Sequence, residues 1–129
     1  MDHDNVAMLR DGYDAFSKGD MARLAELFTD DAAWHVPGRG PLAGDYSGKD
    51  AIFAMFGRLF ELTQGTVRVD VTGLFADDQQ GVGISNNTAT RGDANLSVAQ
   101  VVIFRITEGL VAEAWESTTD QYAVDEFFA

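Results

Sequence analysis

His35, in the stretch AWHVPG, is the one histidine expected inside the fold, because His3 sits in a terminal segment expected to fray. Its ordinary pKa near neutrality makes histidine the default proton carrier. Strand parity gives Trp34 and Val36 to the apolar face, so His35 either points outward or reaches a pocket, and both placements stay open. Two amides raise a sharper question. Alternate side chains of a strand share a face. Asn86 falls in line with Val82 and Ile84, and Gln100 with Val98, Val102, Phe104 and Ile106. An amide buried without partners costs about 1–3 kcal/mol. Either the two are satisfied by each other or the backbone, or they look into a cavity holding water or ligand. Trp34 and Trp115 offer a flat wall for an aromatic or polycyclic ligand, or pack in the core. The same choice applies to Tyr13, Phe16, Phe53, Phe56 and Phe60, aromatics at helical spacing. No metal site is expected, since one usable histidine, no cysteine and no HxxxH or HxH spacing leave only carboxylates to converge. GDYSGKD superficially resembles a phosphate loop. It has three residues between its glycines and Asp50 where a magnesium-binding hydroxyl belongs, so that reading fails.

The chain of 129 residues fits a single domain, residues 1–129, long enough to bury a core without staples. With 46% hydrophobic residues and 11% aromatics, it is expected to fold. The absence of cysteine removes disulfides, thiolate catalysis and zinc–sulfur sites. A net charge of −12 without a basic cluster argues against nucleic acid and anionic membranes as partners. The N-terminal sequence lacks a basic segment followed by an apolar one, and no apolar run approaches a bilayer span; a cytoplasmic location is the expectation.

The elements that must position these groups follow from periodicity. Val6, Leu9, Tyr13 and Phe16 predict a helix over Asp4–Ser17, ended by Gly19. Asp20 caps a short second helix that Asp30-Asp31 breaks, and Ala32–Val36 form a short strand stopped by Pro37. Both prolines and several glycines then mark a loop. Ser47-Gly-Lys-Asp50 predicts a capping box opening a third helix with Ile52, Phe53, Phe56, Leu59, Phe60 and Leu62 on its apolar side. The period then changes to two, giving strands from Val67, from Val82 to Arg91, from Ala94 to Ile106 and from Leu110 to Ser117, before a short helix from Asp120 to Phe128. Helices first and an antiparallel meander second predict an α+β fold with the helices on one face of a curved sheet. Ala99, Val101 and Ile103 make the long strand apolar on its other side too. That predicts a homodimer through the outer sheet face.

The segments YDAFSKGDMARLAELFTDDAAWHVPG, LAGDYSGKDAIFAMFGRL and VVIFRITEGLVAEAWESTTD together resemble the NTF2-like superfamily, and more narrowly its SnoaL-like branch. The resemblance covers nearly the whole chain. It implies a cone with a curved, mixed-edge sheet wrapped around three N-terminal helices, a short C-terminal helix, and an apolar pocket whose mouth lies by the loop at 37–48. The superfamily holds isomerases, cyclases, hydrolases, dehydratases and binders, among which fold does not choose. The ketosteroid isomerase pattern fails at its key positions. Val36 stands at the carboxylate base, Val102 at the acid, and Gly12, beside Tyr13, at the first-helix tyrosine. The cyclase-like branch places an acid after the last strand's tryptophan, here Asp120 in WESTTD. Such an acid could move a proton; it could equally cap the helix that follows.

The expectation is a cofactor-free enzyme acting by acid–base chemistry on an apolar cyclic molecule. Asp120 and His35 would carry protons, and Tyr13, Phe16, Trp34, Phe56, Phe60, Asn86, Gln100, Val102 and Trp115 would contact the ligand. A binding or accessory module with the same pocket, or a structural dimer whose cone is filled by its own aromatics, are the alternatives.

Overall fold

The computed structural model describes residues 3–129. Helix α1 spans Asp4–Lys18, and Gly19 closes it in a left-handed conformation. Helix α2, Met21–Leu27, opens on the Asp20 carboxylate, which accepts from the Arg23 amide. The chain then enters strand β1 at Phe28 and stays extended to Val36. Asp30 and Asp31, expected to break the helix, instead lie in a strand that begins four residues earlier than expected. Their side chains are exposed, so the extended backbone buries no charge.

The glycine-rich loop folds back as strand β2, Gly44–Ser47, antiparallel to β1 and not foreseen from the sequence. Helix α3, Lys49–Leu62, starts at Gly48 with no side-chain cap, because β2 holds Ser47 in the sheet, where it pairs with Ala33. The expected capping box is therefore absent. Strands β3 (Arg68–Ala76), β4 (Gln80–Arg91), β5 (Ala94–Thr107) and β6 (Leu110–Thr118) form the meander, and α4 (Gln121–Phe128) ends the chain. The sheet order is β2-β1-β6-β5-β4-β3, antiparallel except where β1 runs parallel to β6. The NTF2-like cone expected from the sequence, with helices on one face of a curved, mixed sheet, is the observed architecture. No helix among the described residues is long and apolar enough to cross a membrane.

Strand β5 has the expected parity, with Val98, Val102, Phe104 and Ile106 buried inside. Strand β4 has the opposite one. Gly81, Gly83, Ser85 and Ala89 face the helices, and Val82, Ile84 and the exposed Asn86 face outward. Helix α1 explains the inversion. A Cβ on Gly83 would lie 2.2 Å from the Tyr13 hydroxyl, so this part of the sheet accepts the helix only where it carries almost no side chain. The larger residues of β4 are left on the outer face. There the cross-strand pairs Phe75–Val82, Val82–Ile103 and Ile103–Trp115 join into one apolar row across four strands. Phe75 is 60% exposed, Ile103 48% and Trp115 39%.

Candidate active site

The concave side of the sheet and the helices enclose a cavity of about 170 Å³. Its walls are mainly hydrocarbon: Leu9 of α1, Leu24 of α2, Phe56 of α3, Val98 and Val102 of β5, and Phe128 of α4. Pro37, Gly40, Leu42 and Ala43 of the loop after β1 border it, beside Gln121, Val124 and Asp125 of α4. Loop and helix are clasped together. The Asp125 carboxylate accepts from the Arg39 amide at 3.1 Å and from the Gln121 side chain at 3.0 Å. A Cβ on Gly38, which has φ +98°, would come within 2.3 Å of the same carboxylate.

One wall is polar, and Glu116 of β6 is its centre. Opposite Val102 in the β5–β6 register, its carboxyl points inward. The Trp34 indole N–H donates to Oε2 at 2.5 Å, and the Gln100 side-chain N–H₂ donates to Oε1 at 3.0 Å. Gln100 in turn accepts from Asn87 at 2.9 Å, and Asn87 accepts from the Ser85 hydroxyl at 2.7 Å. Burial pushes the Glu116 carboxyl up to about 7, against the lowering effect of its two donors. The side chain forms part of the cavity wall. Tyr13 completes the wall. Its hydroxyl is buried with no hydrogen-bond partner, and its ring meets Phe104 edge-on at 6.3 Å. Burial, then the nearby Glu116 charge, raises its pKa, so the phenol stays protonated and presents a free donor.

Of the residues expected at the site, Tyr13, Phe16, Trp34, Phe56, Gln100 and Val102 border the cavity. The remaining five lie elsewhere. Phe60 packs against Phe16 at 5.1 Å without bordering the cavity. Asn86 is exposed on the outer face, displaced by the inverted parity of β4, and its neighbour Asn87 takes the inward place. Trp115 is also on the outer face, stacked on the His35 ring at 5.6 Å. His35 follows the outward parity of β1. Its Nδ1 lies 2.6 Å from Asp45 and its Nε2 2.6 Å from Glu113, and these carboxylates, Asp45 first, raise its pKa. Asp120 is exposed and caps α4, accepting from the Ala123 amide at 3.1 Å, outside the cavity lining. Neither expected proton carrier thus reaches the pocket. The group that does, Glu116, was legible in one signal. Ala112, Ala114, Glu116 and Thr118 share a parity, which leaves an acid on a small-residue inward face.

The arrangement can bind a molecule with at least one ring, since an apolar cavity of roughly 150 Å³ holds benzene. An oxygen function on that ring would meet Glu116, which carries an O–H at neutral pH in its protonated fraction. A carboxyl balanced near pH 7 can give or take a proton.

The chain matches the SnoaL-like domain family model over residues 9–114. Among solved structures, Bal32a from a soil-derived mobile gene cassette is 42% identical, with a TM-score of 0.94, over 98% of this chain and 97% of that one. A protein of unknown function with a cystatin-like fold from Xanthomonas campestris is 23% identical, with a TM-score of 0.90, over 100% and 99% of the two chains. IdmH, a putative polyketide cyclase from Streptomyces antibioticus, shares the fold at 15% identity and a TM-score of 0.77, over 92% and 94%.

Proposed function

We propose that this chain, which belongs to the SnoaL-like domain family, is a small-molecule enzyme that works by proton transfer on an apolar, cyclic, oxygen-bearing substrate. The observation that carries the reading is Glu116, a buried carboxyl with its pKa pushed up to about 7 at the wall of an otherwise apolar cavity. A purely structural cavity has no use for such a group, whose burial costs stability above neutral pH. The ring system would lie against Trp34, Phe56 and Val102. The Tyr13 phenol would hold the substrate oxygen, and Glu116 would protonate or deprotonate the atom beside it. IdmH, the putative polyketide cyclase that shares the fold, supports a substrate of this kind.

A binding module with the same cavity is the second reading. It is favoured by the two donors that tie Glu116 into a fixed network and so suit orientation as well as chemistry. A panel of phenolic and quinonoid polycycles, screened by thermal shift and then by mass spectrometry for product, tests both readings. Glu116→Gln should retain binding within a few-fold and lose turnover. Stabilisation by a panel member with no product from the wild type selects the binder, and equal turnover by Glu116→Gln removes proton transfer by this residue.

A second copy of the chain is the partner we propose for the outer sheet face, on the strength of the apolar row from Phe75 to Trp115.

A further inference from the structure

We infer that Ser85 and Asn87 are positioning residues that fix the sense of the hydrogen-bond chain to Glu116 and thereby keep the carboxyl's proton on its cavity side. The inference concerns the carboxyl invoked in the proposed function and rests on that reading only for its use.

The argument is one of donor and acceptor order. A carboxylate only accepts, so an ionised Glu116 requires Gln100 to present its N–H₂. The Gln100 carbonyl oxygen then faces Asn87, which must present its own N–H₂, and the Asn87 oxygen is left facing Ser85. Ser85 closes the chain by donating its hydroxyl proton to that oxygen at 2.7 Å. Ser85 is fully buried, so its proton has no water to turn to. Every donor in the chain therefore points towards Glu116.

When Glu116 is protonated, a second arrangement becomes conceivable. The carboxyl O–H would donate into Gln100, both amides would turn over, and Asn87 would donate to Ser85. That arrangement strands the Ser85 proton in a buried site, at the cost of an unsatisfied donor. Ser85 thus excludes it. Oε1 keeps its bond from Gln100 and Oε2 its bond from Trp34, and the acid proton is left to the side that faces the cavity, where a ligand can receive it.

The other ionisable groups around the cavity do not upset this order. Tyr13, from α1, stays neutral because burial raises its pKa. Asp125, from α4, stays ionised, held low first by the Gln121 side chain and then by the Arg39 amide. Glu113, Arg105 and His35 lie on the opposite face of the sheet.

Removing the Ser85 hydroxyl has a definite sign. The reversed arrangement becomes accessible to the protonated carboxyl, and the chain of donors towards the ionised one loses its last link. Both effects raise the proton affinity of Glu116. The Trp34 indole N–H, bonded to Oε2, supplies a readout without ligand or turnover: its ¹H–¹⁵N signal must shift as Glu116 titrates. The chain has two tryptophans, so Trp115→Phe assigns the signal. In the full-length protein, Ser85→Ala should raise the midpoint by about two- to tenfold in proton affinity, the range for one hydrogen bond. Ser85→Cys, a weaker donor, should raise it less, and Asn87→Val, which cuts the chain one link nearer, should raise it at least as much as Ser85→Ala. The amide spectrum shows whether each variant is folded, and Asn87→Val carries the test if Ser85→Ala is not. Midpoints equal to or below that of the wild type in the folded variants overturn the inference. The proposed function fails separately, by the ligand panel, whatever these midpoints are.

Discussion

Replacing Glu116 with glutamine keeps the side chain's size and removes its titration, so the pair of proteins isolates one group's contribution to stability. In the folded protein that carboxyl is pushed up to about 7 by burial, against an ordinary value of 4.5. The native state therefore binds the proton more tightly than the unfolded chain. The stabilisation this gives is fully present below the unfolded value, near pH 4.5, and is lost as pH rises through about 7. The separation corresponds to about 3 kcal/mol. Glutamine cannot match both donors at once, because Trp34 and Gln100 each offer an N–H and only one oxygen remains. That mismatch costs a constant amount at every pH. The difference in unfolding free energy between Glu116→Gln and wild type should accordingly rise by about 3 kcal/mol in favour of the variant between pH 4.5 and pH 8. For a chain of this length that is a relative shift of about 10 °C in Tm. Urea denaturation of both proteins at half-unit pH intervals measures the difference curve, in which the titrations of the other carboxylates cancel. A flat curve over that range would refute the claim that Glu116 is held in a low-dielectric site by the fold.

Three further outcomes follow from the geometry. Gly83→Ala puts a methyl group 2.2 Å from the Tyr13 hydroxyl, so it should destabilise the protein by about 1–3 kcal/mol and displace α1, seen as a lower urea midpoint and altered Tyr13 environment. Ile103→Asp, set in the middle of the exposed apolar row, should convert a dimer to a monomer by light scattering at micromolar concentration; a wild type already monomeric there ends the case for self-association through this face. Asp120→Ala should cost about 1 kcal/mol through the loss of the α4 cap and leave affinity for any panel ligand unchanged, whereas lost affinity or turnover at full stability would return Asp120 to the site.

The fold was largely legible because its signals are redundant. Val6, Leu9, Tyr13 and Phe16 repeat at helical spacing, Gly19 stops α1, and the meander's turns carry glycines at Gly92 and Gly109 with positive φ. The departures occur where a tertiary partner outweighed a local preference. Asp30 and Asp31 resemble a break, but the sheet draws the chain in from Phe28. Ser47 resembles a cap, but pairing with Ala33 takes it into β2, an edge strand of four residues, too short to show a period.

The site was less legible, and the reason is the sheet's second apolar face. Parity assigns alternate residues to two faces and is silent on which face is inside; the usual tie-breaker is that the apolar set goes in. In β4 that rule selects Val82 and Ile84 and carries Asn86 with them. In the folded chain those residues lie in the outer row, and the inner set is Gly81, Gly83 and Ser85, chosen by the approach of α1. In β6 the same rule turns Trp115 inward and hides Glu116, since a tryptophan outranks an acid on any apolar scale. Both errors have one origin. An apolar outer face mimics a core in sequence, so the true interior is marked by its small residues and by the polar groups it is made to hold. On that argument Ser85, Asn87, Gln100 and Glu116 belong together before any distance is measured, for they are polar residues in the middle of three adjacent strands that share parity with glycines, alanines and buried aliphatics. The aligned registers Ser85–Gln100 and Val102–Glu116 then bring them to one wall of one cavity.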